Sequence, residues 1–208
     1  SVIDIAYDIS EGLARAACAG EVNGEVVDLR TVLDSDCELN ILTAKDEKGL
    51  AVLRHTASHV LAQAVQNLYP EAKVAIGPSI DTGFYYDFDH EPFSREDLDA
   101  IEKEMKKIIK KGAKIERFTK SREDAIAYFK EKNEPYKVEL IEDLPEDAEI
   151  SFYSQGDWTD LCAGPHLMSV KPVKAFKLLS SSSAYWRGSE KNAMLTRIYG
   201  TAYATKDE

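Results

Sequence analysis

The sequence predicts an α+β protein whose helices pack against a mostly antiparallel sheet. Three observations carry that expectation. Glu47 to Tyr69 repeats Leu53, Ala57, Val60, Leu61, Ala64 and Leu68 at helical spacing and is stopped by Pro70. From Glu149 onward the chain turns to short β-rich runs: Ile150–Tyr153, Val173–Leu179, Ala184–Arg187 and Leu195–Tyr203. Charge is also uneven, with three bases against nine acids in residues 1–45 and 23 against 28 in residues 46–208. A boundary is therefore expected in the polar stretch around Lys45 to Gly49, giving modules of residues 1–45 and 46–208.

In chain order, Val2 to Ile9 reads as a short helix. Asn23-Gly24, between Glu21-Val22 and Glu25-Val26, is a strong hairpin signal because both turn positions favour positive φ. Cys37 to Leu42 alternates polar and apolar and is expected to be another strand. A stretch with so little apolar content makes a thin module, resembling a small β-grasp unit with part missing. After the long helix come strand-like Val74–Ile76 and Phe84–Phe88, joined by the turn-rich Gly77–Gly83. Ser94 to Gly112 is expected to be a helix, with acids early and lysines late as the helix dipole favours. Ser121 looks like the N-cap of a further helix running through Lys132.

Composition excludes several classes. The 208 residues are 44% hydrophobic and 30% charged, an ordinary balance able to bury a core. No apolar run approaches the roughly 20 residues of a membrane span, so no membrane partner is expected. Ser1 to Ser10 mixes Asp4 and Asp8 with isoleucines and does not read as a secretory leader, and the absent initiator Met suggests a trimmed chain. A net charge of −11 argues against coating nucleic acid by bulk charge, while leaving room for a local basic patch. Cys18, Cys37 and Cys162 form no CxxC pair, which fits a reducing, cytoplasmic setting better than a disulfide framework. No phosphate-binding glycine loop and no GxSxG elbow is present, so an ATP-using module has no visible home here.

The residues able to carry chemistry fall in two pairs. His55 and His59 are four apart on the long helix and share a face away from the apolar stripe. Cys162 and His166 are likewise four apart, in Asp160-Leu-Cys-Ala-Gly-Pro-His166, where Gly164-Pro165 forces a turn. Two such pairs make a chemically reasonable tetrahedral zinc set. The same side chains equally suit orienting a water and holding a substrate, and an HxxxH pair alone is often only structural. Nothing marks Cys162 as an activated thiolate, so a ligand or hydrogen-bonding role is favoured over a nucleophile. His90 reads as a solvated loop residue. Lys103, Lys106, Lys107, Lys110, Lys111 and Lys114 line one helix side, either a solvated face paired with Glu102 and Glu104 or a surface that tracks phosphates. Lys171, Lys174 and Lys177 read as the exposed face of a strand. Tyr85-Tyr86 and Tyr185-Trp186 suit base stacking or burial in a sheet.

Seven ordered motifs closely resemble the amino-terminal region of bacterial-type threonyl-tRNA synthetases. They are His55-Thr-Ala-Ser-His59, Ala75-Ile-Gly-Pro78, Gly83-Phe-Tyr-Tyr-Asp87, Thr159-Asp-Leu-Cys162, Gly164-Pro-His166, Ala184-Tyr-Trp-Arg-Gly188 and Arg197-Ile-Tyr-Gly-Thr-Ala202. The resemblance implies a partial TGS domain over residues 1–45 and an editing domain, the second additional domain shared with alanyl-tRNA editing proteins, over residues 46–208. Such a domain hydrolyses seryl-tRNA made in error on threonine tRNA. The family's editing residues map onto His55, His59, Asp160, Cys162 and His166, and the lysine of its Tyr-Lys motif onto Lys137. Tyr86, Gly164, Pro165 and Ser183 are expected to contact substrate, and Lys103, Lys106, Lys107, Lys110 and Lys114 to meet tRNA.

The resemblance also implies limits. The synthetic core, with its ATP and zinc sites, would follow residue 208, so this chain is not expected to aminoacylate. The whole enzyme is expected to be a homodimer acting on tRNA for threonine. Relatives acting on alanyl-tRNA use such a quartet for zinc, whereas the threonyl type is thought to edit without it. Asp160 and Lys137 beside the quartet favour the metal-free reading. A non-catalytic acceptor-stem binding module and a zinc-dependent protein editing in trans are the alternatives. Three departures from the family pattern touch contacts to the tRNA end: Ala163 stands where Arg is usual, Ser181–Ser183 replaces a segment that commonly includes Ala-Gly, and Ser189 replaces a common Asp. Ser183 is a candidate to narrow the pocket.

Overall fold

The computed structural model describes residues 1–208 as six α-helices and eleven strands in three antiparallel sheets. Helix α1 (Val2–Ile9) starts at a Ser1 capping box with Asp4, and a second short helix, α2 (Glu11–Ala16), follows directly on an N-cap at Ser10. Strands β1 (Ala17–Val22) and β2 (Glu25–Val27) form the hairpin at Asn23-Gly24, where φ is 50° and 86° at the two turn residues. Strand β3 (Leu39–Thr43) pairs on the other side of β1, beginning two residues later than the alternation placed it. The first sheet therefore has the order β2-β1-β3.

Helix α3 (Glu47–Leu68) is the axis of the molecule. It packs against β1 and β3 and against the second sheet, and almost every residue from Val52 to Val65 is buried. The face expected to lie away from the core is therefore buried too, covered by the third sheet and the loop that follows it. Leu68, placed by its spacing in the apolar stripe, is exposed where the last turn projects.

The second sheet has the order β10-β11-β6-β4, with β5 also on β6. It comprises β4 (Lys73–Val74), β5 (Ser79–Ile80), β6 (Gly83–Asp89), β10 (Ala175–Tyr185) and β11 (Met194–Tyr203). On β6, Phe84, Tyr86 and Phe88 alternate onto the buried face, each burial contributing about 1.5–3 kcal/mol. Asp87 points the other way and is held by its cross-strand partner Arg197 in a two-point pair at 2.8 and 3.0 Å. β10 merges two of the expected strands across a bulge between Leu178 and Ser180 and ends in a 3-10 turn at Trp186–Gly188. Lys171 and Lys174 lie in the turn before it, and only Lys177 is in the strand.

Helix α4 (Arg95–Lys111) runs from a Ser94 capping box to Gly112 and packs on α3 and β10. The third sheet, β7-β8-β9, consists of β7 (Ile115–Thr119), β8 (Ser151–Gln155) and β9 (Trp158–Leu161). Helices α5 (Arg122–Glu131) and α6 (Pro135–Glu142) form a pair beside it. The chain thus carries three separate antiparallel sheets rather than one, arranged around α3. No helix is long and apolar enough to cross a membrane.

Candidate functional site

Five elements converge on one face of α3. That helix supplies His55, His59 and Thr56, while β9 carries Asp160 and leads, after Leu161, into the loop Cys162–His166. Gly164 in that loop has φ 77°, and a Cβ there would sit 2.1 Å from the Tyr153 hydroxyl, so the position requires glycine twice over. The turn brings Cys162 Sγ to 3.4 Å from His55 Nε2 and 3.2 Å from His166 Nε2, and the Gly164 N–H donates to the sulfur at 3.3 Å. The rings of His55 and His59 each lie 4.1 Å from that of His166.

The hydrogen bonds assign protons. Pro165 O can only accept, so His55 Nδ1, 3.2 Å away, carries the hydrogen and leaves the Nε2 lone pair facing Cys162. His166 Nδ1 is 3.0 Å from Thr56 Oγ1, which itself accepts from the Leu167 N–H.

Beneath this layer lies a buried charged group. Lys137, from α6, places Nζ 2.7 Å from Asp160 Oδ1, with both side chains 2% exposed. The ammonium donates to the Tyr86 hydroxyl at 2.9 Å, and that hydroxyl donates to Asp160 Oδ2 at 2.6 Å. His59 Nε2 stands 3.5 Å from the same oxygen. Oδ1 has the ammonium as its ion-pair partner and no other donor.

Burial sets the protonation of the upper layer. It pushes the His59 imidazole down to about 3, and it lowers His55 and, more strongly, His166, so all three rings are neutral near pH 7. Burial also pushes the Cys162 thiol up to about 12, which keeps the sulfur protonated in the metal-free cluster and speaks against a thiolate nucleophile. Burial alone would raise the Asp160 carboxyl. The Lys137 ammonium and the Tyr86 hydroxyl outweigh it and hold Asp160 ionised below the usual carboxylate range.

The four donors His55, His59, Cys162 and His166 lie within 4.8 Å of one another. Three neutral imidazoles and one thiol fit zinc in number and kind, and Thr56 and Pro165 hold two of the rings as outer partners would. A cavity of about 400 Å³ opens at His55, between Lys48, Ser79, Gly164 and Pro165. A second hollow of about 450 Å³, lined by Arg30, Arg117, Tyr153 and Ala163, lies on the other side of the Gly164-Pro165 turn.

The structure brings His55, His59, Lys137, Asp160, Cys162 and His166 together, with Gly164 and Pro165 at the mouth. Tyr86 is fully buried behind Asp160, so it supports the charged pair from the rear of the site. Ser183 is exposed on the edge strand β10, two strands from β6 and outside the cluster, so it has no means of narrowing the pocket. Lys103, Lys106, Lys107 and Lys110 are exposed on α4 and Lys114 just beyond it; of these only Lys107 has an acidic partner, Glu104 at 3.9 Å. Sequence reasoning missed Thr56, Tyr153, Asp28 and Arg30. Thr56 lies inside the HxxxH motif and was legible as its neighbour; the other three carry no local signal.

Comparison with known proteins bears on what this cluster belongs to. Residues 1–43 match the family model described as the TGS domain, and residues 150–199 match that of the threonyl and alanyl tRNA synthetase second additional domain. The threonine–tRNA ligase of Acetivibrio thermocellus is 63% identical over 209 aligned residues, covering all of this chain and 33% of that protein. The chain matches the amino-terminal region of the threonyl-tRNA synthetases. The threonine–tRNA ligases of Clostridium novyi and Caldanaerobacter subterraneus are 60% and 58% identical, over 100% and 99% of this chain. The chain spans about a third of the length of these synthetases. Asp160, Cys162 and His166 fall inside the second-additional-domain match, whereas His55, His59 and Lys137 precede it in sequence and join it only in space.

Proposed function

We propose that this synthetase region proofreads, hydrolysing the ester of serine misattached to tRNA for threonine and releasing serine and tRNA. Residues 46–208 would form the editing domain and residues 1–45 the TGS-type module. The observation that carries the reading is the buried Lys137–Asp160–Tyr86 group set directly beneath the neutral His55–His59–Cys162–His166 layer, next to an open cavity. An ionised pair so deep is costly to bury and is explained by a polar ligand that uses it.

In this reading the terminal ribose enters at the cavity beside His55. The His55 and His59 rings position the ribose and the attacking water. The water oxygen adds to the ester carbonyl, the bond from that carbon to the ribose oxygen breaks, and the ribose hydroxyl leaves with the water's proton. The Lys137 ammonium has three hydrogens and directs them at Asp160 and Tyr86, leaving capacity to meet the oxygen that becomes negative. Asp160 Oδ1, which has no donor besides that ammonium, is suited to the substrate's α-amino group or hydroxyl. Lys137, Asp160, His59 and His166 are each under 4% exposed, so the seam between His55 and the Cys162–His166 loop must open to admit the ester. Serine differs from threonine by one methyl, worth about 1–3 kcal/mol in a synthetic pocket, so rejection needs a second site too small for threonine.

The ammonium and carboxylate beside the quartet favour hydrolysis without metal. The four-donor arrangement itself favours a second reading, in which the quartet holds zinc; when bound, the ion would polarise the ester and make bound water more acidic. Incubating the chain with seryl-tRNA for threonine, with and without chelator, separates the readings. Serine release indifferent to chelator supports metal-free editing, and release stopped by chelator supports zinc. Salt-dependent RNA affinity with no release selects a binding module.

A further inference from the structure

We propose that Asp28 and Arg30, in the segment after β2, are positioning residues for the editing site: they clamp the backbone of His166 from across the module boundary. The inference rests on the proofreading reading and adds to it a dependence on docking of the amino-terminal module. Asp28 Oδ2 accepts the His166 N–H at 3.1 Å and the Tyr153 hydroxyl at 2.7 Å. Arg30 donates to the His166 carbonyl at 3.3 Å, the Leu167 carbonyl at 2.9 Å and the Ile115 carbonyl at 2.5 Å. Asp28 Oδ1 in turn takes the Arg30 guanidinium at 2.9 Å and the Arg30 N–H at the same distance. The His166 peptide is thus held at both its N–H and its C=O by one ion pair, whose side chains are only 17% and 10% exposed.

What is held matters more than the number of bonds. The His166 ring stacks on His55 and lies tilted against His59, and its Nε2 sits 3.2 Å from Cys162, so a shift of the His166 backbone moves the whole upper layer. Asp28 and Arg30 are the only partners of the His166 peptide N–H and C=O, while the rest of the loop is held from its own module, by Ser151 at Cys162, by His55 at the Pro165 carbonyl and by Thr56 at the Leu167 N–H. Arg30 spends its guanidinium on Asp28 and three carbonyls and also lies over the Tyr153 ring, so it is not free to bind a phosphate. The other charged contact between the modules, Glu21 with Lys48 at 2.5 Å, borders the cavity that His55, Gly164 and Pro165 also line.

The test compares Arg30→Ala, Asp28→Asn and the milder Tyr153→Phe, with Arg15→Gln, exposed on α2 of the same module, as the control, all in the full chain. Two readouts are taken: kcat and KM for seryl ester hydrolysis, and the iodoacetamide alkylation rate of Cys162 relative to Cys18 and Cys37 in chelator-treated protein. A displacement of an ångström in a catalytic group typically costs about a hundredfold in rate. Arg30→Ala and Asp28→Asn are expected to lower kcat by about tenfold to a hundredfold with KM within about twofold, and to speed Cys162 alkylation about tenfold while the other cysteines keep their rates. Tyr153→Phe is expected to fall between them and wild type, and Arg15→Gln to match wild type. Wild-type kcat and wild-type alkylation in both Arg30→Ala and Tyr153→Phe would overturn the proposal. So would a loss confined to KM, which would make Arg30 a substrate contact. If the wild-type chain releases no serine, the proofreading reading fails, and the alkylation comparison alone decides the clamp.

Discussion

Lys137→Met probes the charge buried beneath the histidines. The substitution keeps an unbranched side chain but deletes an ammonium 2.7 Å from Asp160 Oδ1, where both groups are 2% exposed. Asp160 is left with the Tyr86 hydroxyl at 2.6 Å and a neutral His59 at 3.5 Å. Removing one partner of a buried pair typically costs about 3–5 kcal/mol, because the other charge remains out of water uncompensated. Burial would then raise the Asp160 carboxyl, which Lys137 in the intact protein helps to hold below its usual range. The wild-type pair therefore stabilises fully above the unfolded carboxyl value of about 3.9 and loses that contribution as pH falls through the lower folded value. The variant's carboxyl, raised in the fold, takes up a proton earlier. The deficit is thus largest at neutral pH and shrinks as pH is lowered towards 4. Urea unfolding at pH 7 and pH 4, followed by Trp158 and Trp186 fluorescence, measures it from the midpoint and slope. Adding Asp160→Asn to Lys137→Met is expected to recover part of the loss, since both charges are then gone. A deficit below about 1 kcal/mol at pH 7, or one unchanged at pH 4, would refute the reasoning.

Tyr86→Phe removes a hydroxyl that donates to Asp160 and accepts from Lys137, and should lower stability by about 1–3 kcal/mol in the same urea assay. Gly164→Ala drives a Cβ to 2.1 Å from the Tyr153 hydroxyl at a position of φ 77°, so serine release should fall at least about tenfold, and full activity would contradict the loop geometry. His55→Ala opens the cavity mouth and should abolish serine release with little change in the unfolding midpoint, because that ring is only partly buried; retained release would remove His55 from the mechanism. For Cys162, whose thiol is pushed up to about 12, alkylation in chelator should rise steadily from pH 7 to pH 9, whereas a plateau near pH 7 would show an activated thiolate.

Much of the fold was legible because its elements carry local chemistry. Ser94 with Asp97 and Gly112 bounded α4, Asn23-Gly24 set the first hairpin, and the period of α3 was plain from Leu53 to Ala64. Two missed elements did carry signals. Gly156-Asp157 is a two-residue hairpin turn between β8 and β9, and Pro135 stands in the first turn of α6. Both matter, since β9 holds Asp160 and α6 holds Lys137. The two histidine and cysteine pairs could be read as one site from residue types alone, but the depth of Lys137 and Asp160 could not, because burial is a property of neighbours far apart in sequence. The Asp28–Arg30 clamp was illegible for the same reason: its partners lie 85 to 138 residues away. Ser183 shows the converse error, a residue beside a recognisable motif that the strand's edge position carries away from the site.

The most direct test compares hydrolysis of seryl- and threonyl-esters of the same tRNA by the full chain. One methyl at a tight site is worth about 10–200-fold in rate, so the seryl ester is expected to disappear at least tenfold faster. Equal rates for the two esters, or no loss of either, would contradict proofreading by this site.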